Sequence, residues 1–151
     1  GSEYLKLCHG VIEGPIPEIN LEIESSLHKI CLELISKGLI NSAHDISDGG
    51  LAINLAESIS FSKPGLGADI SIDRKLRTDQ ILFGESQGVI IVSLDSKNLH
   101  HVALLAQKYN IYTQTLGTVT ETAKLKINES INLSRKKIEK AYFNSLSKIM
   151  S

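Results

Sequence analysis

The sequence contains no tryptophan, one methionine, two cysteines and three prolines, with three phenylalanines and four tyrosines as its only aromatic residues. So few flat side chains argue against base stacking on a single-stranded nucleic acid. Cys8 and Cys31 are too few for a disulfide framework, and they read as reduced, partly buried thiols suited to a cytoplasmic protein. There is no basic excess. Lys and Arg total 16 against 17 Asp and Glu, which excludes a general nucleic-acid binder. No apolar run approaches the roughly 20 residues of a membrane span. The opening residues, GSEYLKLCHG, lack the basic-then-apolar layout of a secretory leader. The sequence contains no Cys-x-x-Cys or phosphate-loop motif. The expectation is a protein without nucleic-acid or membrane partners.

The 151 residues match the length of one domain. Residues 1–20 carry Gly10, Gly14, Pro15 and Pro17, and the proline spacing predicts an extended lead-in that lies along another surface. A single domain should occupy residues 21–151. Leu27, Ile30, Cys31, Leu34 and Ile35 recur at helical spacing, which predicts a helix over 21–37, capped by Asn20 and ended by Gly38. A strand is expected at 42–46, then a helix with Leu51, Leu55, Ala56 and Ile59 on one side. Ala68, Ile70 and Ile72 alternate with Asp69, Ser71 and Asp73, as in a strand with one wet face. Val89-Ile90-Ile91-Val92 suits a strand buried on both faces. A helix over 97–109 with Leu99, Val102, Ala103, Ala106 and Tyr109 inward should come next, then strands at 112–119 and 123–127 separated by a turn at Glu121-Thr122. Ser134 opens a last helix whose Arg135-Lys136-Lys137 reads as a solvated turn. The order contains β-α-β twice. It predicts an α+β domain, in α/β layers, with a mixed sheet in a ferredoxin-like split β-α-β pattern covered by helices.

Two segments could carry chemistry. In Asp45-Ile46-Ser47-Asp48-Gly49-Gly50, a strand-to-helix passage combines two carboxylates with paired glycines. Free amides at a helix start favour anions, and carboxylates favour Mg²⁺. The plainer alternative is that Asp48 caps the helix and the glycines make a turn. In Glu85-Ser86-Gln87, an acceptor, a hydroxyl and an amide stand directly before a buried strand, a set suited to a hydroxylated or amide-bearing ligand. The alternative is a polar loop that satisfies its own backbone. His100 and His101 lack further ligands nearby in sequence and read as a solvated helix face, so no metal ligands are assigned.

Taken in series, Gly1-Ser2-Glu3-Tyr4-Leu5, Ala43-His44-Asp45-Ile46-Ser47-Asp48-Gly49-Gly50-Leu51-Ala52 and Leu82-Phe83-Gly84-Glu85-Ser86-Gln87-Gly88 resemble the C-terminal part of phosphoribosylformylglycinamidine synthases of the PurL type. Leu116-Gly117-Thr118-Val119 and the last helix fit as well. The resemblance implies a fold like the C-terminal domain of aminoimidazole ribonucleotide synthetase, in the second of two repeats. It implies a whole enzyme that uses ATP and Mg²⁺ to activate the amide oxygen of formylglycinamide ribonucleotide, which ammonia from glutamine then replaces. The partners implied are the remainder of the synthase chain, a glutaminase subunit and a small bridging subunit.

In that family the catalytic histidines, the ATP-contacting lysine and the Mg²⁺ carboxylates lie in nucleotide-binding domains outside this sequence. The resemblance therefore assigns no catalytic residue here, His44 included, and implies that the chain alone neither holds ATP or Mg²⁺ nor catalyses. Glu85, Ser86 and Gln87 would line a substrate or pseudo-site pocket, and Asp45, Asp48, Gly49 and Gly50 would shape the cleft beside it. Val89 stands where relatives often carry an arginine, which removes a bidentate anion donor. Two other readings stay open: a non-catalytic interaction module that packs on its sister repeat and helps bind the glutaminase partner, and a piece of a selenophosphate synthetase or thiamine-monophosphate kinase. A chain cut from its neighbours could also form a homodimer through former interfaces.

Overall fold

A computed structural model describes residues 2–14, 16–73, 75–145 and 150. Six α-helices and six strands occur among them, in the order α1 (Glu3–His9), α2 (Leu21–Ser36), β1 (Ser42–Asp45), α3 (Gly50–Ser60), β2 (Gly67–Ile70), α4 (Thr78–Phe83), β3 (Ile90–Ser93), α5 (Leu99–Lys108), β4 (Gly117–Thr120), β5 (Lys124–Ile127), β6 (Ile131–Ser134) and α6 (Arg135–Phe143). A 3-10 turn at Ser96–Asn98 leads into α5. The class is α+β, with a mixed sheet and helices packed on it.

The two β-α-β segments exchange partners rather than forming one ladder. Their first strands, β1 and β3, pair antiparallel in a separate two-stranded ladder. Their second strands, β2 and β4, pair antiparallel inside a four-stranded sheet of order β4-β2-β5-β6, where β2 and β5 run parallel. The alternation in β2 fixes which face of this sheet is dry. Ala68, Ile70 and Ile72 are buried with Leu125 and Ile127 of β5 beneath α3 and α6. On the opposite face the register aligns Thr118, Asp69, Lys126 and Asn132 across four strands, a polar row that suits solvent. A second core lies between α2 and α5, built on Ile30, Leu34, Val102 and Ala106.

Several expectations need correction. The lead-in is not extended throughout. Ser2 caps α1, Glu3 pairs with Lys6 one turn on, and Gly10 ends the helix in the left-handed conformation. The prolines therefore govern only the stretch between Gly10 and α2, and Pro15 lies outside the described residues. Val89–Val92 is only half-buried and Val89 is 40% exposed, because among the described residues β3 pairs with β1 alone, in a two-stranded ladder outside the larger sheet. In α5, Leu99 and Ala103 face outward; the inward set is Val102, Leu105, Ala106 and Tyr109. Ile35 is likewise exposed on α2. Residues 112–116 are not strand, while β6 and α4 arise where no element was expected. Each is too short for its periodicity to stand out.

The α2–α5 contact carries a titratable lock. The Tyr109 hydroxyl donates to Glu33 Oε2 at 2.7 Å, and Lys37 Nζ lies 2.7 Å from Glu33 Oε1. The Lys37 bond, followed by that of Tyr109, holds the Glu33 carboxyl below its ordinary pKa of 4.5. A depressed folded-state pKa means that the stabilisation is present above the ordinary value and is lost as pH falls through the folded one. The melting temperature of the native protein should therefore exceed that of Glu33→Gln at neutral pH. Thermal melts across a pH series should show the gap closing below about pH 4.5.

Candidate functional site

The site is a junction of two loops. β1 ends at Asp45, and Ile46 continues the ladder by donating its amide to the Val89 carbonyl at 2.9 Å. The chain then turns, with Gly50 N–H donating to Ser47 O at 3.1 Å, and Gly49 (φ +81°) and Gly50 (φ +68°) open α3. A side chain at Gly50 would stand 2.8 Å from Phe83 Cα and 2.9 Å from the Gly84 carbonyl, so glycine there lets the turn touch the second loop. That loop runs from the end of α4 to the start of β3. α4 is steadied by Arg77, whose guanidinium grips Asp79 and holds that carboxyl below the usual range.

Glu85 joins the two loops. Its Oε1 accepts the Gly49 amide at 2.9 Å and the Glu3 amide of α1 at 2.8 Å. Tyr4 adds a stacked contact on Phe83, ring centroids 4.6 Å apart and planes 4° from parallel. Gly49 precedes α3 with no capping side chain of its own, and Asp48 does not cap the helix as the plainer sequence alternative held. The glycines do make the turn. Asp45, Asp48, Ser86 and Gln87 are exposed on the same junction. The Asp45 side chain is 74% exposed and 3.8 Å from His44 Nδ1.

The structure thus brings all seven candidate residues to one place but gives them different tasks. Glu85, Gly49 and Gly50 build the junction, while Asp45, Asp48, Ser86 and Gln87 present their polar groups outward. His44 is committed elsewhere: its ring nitrogens face the Asp45 carbonyl at 2.9 Å and Glu57 Oε2 at 3.1 Å. Among the described residues no group of three or more His, Cys, Asp or Glu is placed to hold a metal ion. Two hollows lie away from the junction, one beside Lys136, Glu139 and Phe143, the other beside Leu39, His101 and Leu104.

Sequence reasoning missed three supporting groups. Asn54 is 2% exposed and donates to the carbonyls of His44 (3.2 Å) and Asp45 (2.7 Å), which ties α3 to the end of β1. Its signal was an amide among the inward positions Leu51 and Leu55. Glu3 and Tyr4 bind the junction from α1, which no periodicity disclosed. Arg135, read as solvated, is 8% exposed and binds the end of α3.

A mixed sheet layered with helices, and a glycine turn seated on a Glu-Ser-Gln loop, define the class. The chain belongs to the family of AIR synthase related proteins, C-terminal domain, whose family model matches residues 5–129. Within that family it is similar to the phosphoribosylformylglycinamidine synthase subunit PurL of Thermoanaerobacter pseudethanolicus, 44% identical over 119 residues, which cover 79% of this chain and 16% of that protein. Two solved structures share the fold: PurLQS from Thermotoga maritima, with a TM-score of 0.73 at 22% identity over 82% of this chain and 23% of that one, and Thermotoga maritima PurL complexed with ATP, with a TM-score of 0.73 at 21% identity over 84% and 23%. The chain therefore spans about a sixth of the curated relative's length. No helix among the described residues is long and apolar enough to cross a membrane.

Proposed function

We propose that this chain is the C-terminal domain of the second repeat of a PurL-type phosphoribosylformylglycinamidine synthase, an ATP-dependent ligase of purine biosynthesis in the cytoplasm. Its substrate is formylglycinamide ribonucleotide, and its product is the amidine. The observation that carries the reading is the apposition of the 46–50 turn and the 84–88 loop through the Glu85–Gly49 and Ile46–Val89 hydrogen bonds. They belong to two of the three motifs that the synthase resemblance rests on. Residues 21–151 act as one domain, with 1–20 as a lead-in docked on it through α1.

In this reading Ser86 and Gln87 offer a hydroxyl and an amide to a ligand or pseudo-ligand, while Asp45, Asp48, Gly49 and Gly50 shape the cleft beside them. Phosphoryl transfer requires Mg²⁺ ligands and phosphate donors. The nucleotide-binding parts of the whole enzyme supply these, so the chain alone neither retains ATP or Mg²⁺ nor catalyses. Its partners are the remainder of the synthase, a glutaminase subunit and a small bridging subunit.

Calorimetric titration of the chain with formylglycinamide ribonucleotide and with Mg·ADP should give no saturable heat, and ammonia with ATP should yield no amidine. The double variant Ser86→Ala/Gln87→Ala in the whole enzyme should raise KM for formylglycinamide ribonucleotide roughly tenfold, the loss of one to two hydrogen bonds. Amidine formed by the chain alone would overturn the division of labour, and an unchanged KM would remove the loop from the substrate site.

A packing role stands beside this one. Val11, Ile12, Ile16 and Ile19 of the lead-in and Leu21 at the start of α2 are all exposed, apolar side chains of the kind that an interface covers. The remainder of the synthase is the surface it would cover. Retention of the chain by a separately produced remainder, weakened by Ile12→Asp and Ile16→Asp, would support this. Self-association of the chain with no such retention would assign the stretch to a homodimer instead.

A further inference from the structure

Helix α1 is held in place by little of its own. It has seven residues, none of them buried, and Leu7 is 78% exposed. A helix of that length is not stable alone in water, since nucleation costs more than one turn returns. Its stability must come from where it docks, and its half-buried first turn docks on residues 83–85. Tyr4 stacks on Phe83, and the Glu3 amide, unpaired within the helix, donates to Glu85 Oε1 at 2.8 Å. The same oxygen accepts the Gly49 amide ahead of α3 at 2.9 Å, where no local side chain caps. One half-buried carboxylate therefore lies at the amino ends of two helices, where negative charge is favoured.

We infer that Glu85 is a clasp and not a ligand contact: its carboxylate straps α1 across the 83–85 segment and at the same time sets the turn that opens α3. The strap joins the lead-in to the loop that carries Ser86 and Gln87. Displacement of either one is felt by the other through a single oxygen atom. This deepens the synthase reading by changing the role of Glu85 from lining residue to positioning residue, and it rests on that reading only for consequences in catalysis.

Hydrogen exchange followed by mass spectrometry tests it on the protein carrying this chain, in peptides spanning residues 3–10, 46–53 and 124–134. Glu85→Ala should speed exchange in 3–10 by about tenfold or more, speed 46–53 by a smaller factor, and leave 124–134 at the native rate. Glu85→Gln keeps a carbonyl oxygen able to accept both amides and should restore most of the protection. Tyr4→Ala should release 3–10 while 46–53 stays protected, because the Gly49 bond survives. Native exchange of 3–10 in Glu85→Ala, or equal loosening of all three peptides, would overturn the clasp. If Glu85→Ala does not fold, Tyr4→Ala decides: selective release of 3–10 supports the strap, and native exchange there rejects it. None of these readouts involves substrate or turnover, so the clasp and the synthase reading can fail separately.

Discussion

Replacing Arg135 with alanine should cost about 3–5 kcal/mol of folding stability, because several carbonyl acceptors lose a charged donor at roughly 1.5–3 kcal/mol per bond. The guanidinium is used on every side. Nε donates to Glu139 Oε1 at 2.6 Å, Nη1 to the Lys63 carbonyl (2.6 Å) and Ser62 Oγ (3.1 Å), and Nη2 to the carbonyls of Ser62 (2.9 Å) and Ser60 (3.1 Å). Those carbonyls lie at and just beyond the end of α3, where a helix runs out of internal donors and favours positive charge. Alanine would leave them unpaired and would release the start of α6 from the end of α3. At roughly 2–4 °C per kcal/mol for a chain of this size, the melting temperature should fall by about 10 °C.

Arg135→Lys should recover only part of that loss, because an ammonium cannot reproduce the planar fork. Lys136→Ala and Lys137→Ala lie on the exposed side and should stay within about 0.5 kcal/mol of the native protein. Thermal melts of the four variants separate the cases. An Arg135→Ala protein that melts with the two lysine variants would show that the buried fork contributes little net stability.

Gly50→Ala should cost about 2–5 kcal/mol, from two independent causes. A left-handed backbone costs an L-residue roughly 1–2 kcal/mol, and φ at Gly50 is +68°. Overpacking adds about 1–3 kcal/mol, since the new methyl would lie 2.8 Å from backbone atoms of Phe83 that cannot rotate aside. Gly38→Ala is the control. Its φ is +62° with nothing within 4 Å, so it should show the backbone cost alone. Urea denaturation of the two variants isolates the steric part as their difference. Equal midpoints would mean that the 46–50 turn and the 84–88 loop separate easily, which would weaken the case for a fixed junction. In the whole enzyme, Gly50→Ala should also impair activity beyond its effect on stability, because it pushes apart the two loops that frame the proposed cleft.

Local chemistry was enough to place the elements whose boundaries are marked by short-range rules. Asn20 accepts from the amides of Glu22 and Ile23, Ser134 from that of Lys137, and Gly38 takes the left-handed conformation just beyond α2. The inward side of α3 and the dry face of β2 came from spacing, because burial repeats with the period of the backbone. The site motifs were also visible, since a strand-to-helix glycine pair and a Glu-Ser-Gln run are unusual on any terms.

Tertiary structure decided what spacing cannot express. Strand partners depend on residues far apart in the chain, so the crosswise pairing of β1 with β3 and β2 with β4 has no local signature. Val89–Val92 is apolar enough for a doubly buried strand, yet exposure is set by how many neighbours arrive, and among the described residues β1 is its one strand partner. The Arg-Lys-Lys run looks uniform in sequence, but the end of α3 meets only Arg135 and leaves the two lysines in water. Glu85 is read from sequence as a group that awaits a ligand. In the folded chain its oxygen is already engaged by two amides, from residues 36 and 82 positions away. The sequence by itself determined which residues prefer helix, strand, turn and burial, because those preferences act over a few residues. The fold decided which polar groups remain free for chemistry, because a hydrogen-bonding atom is free only when no distant part of the chain has reached it.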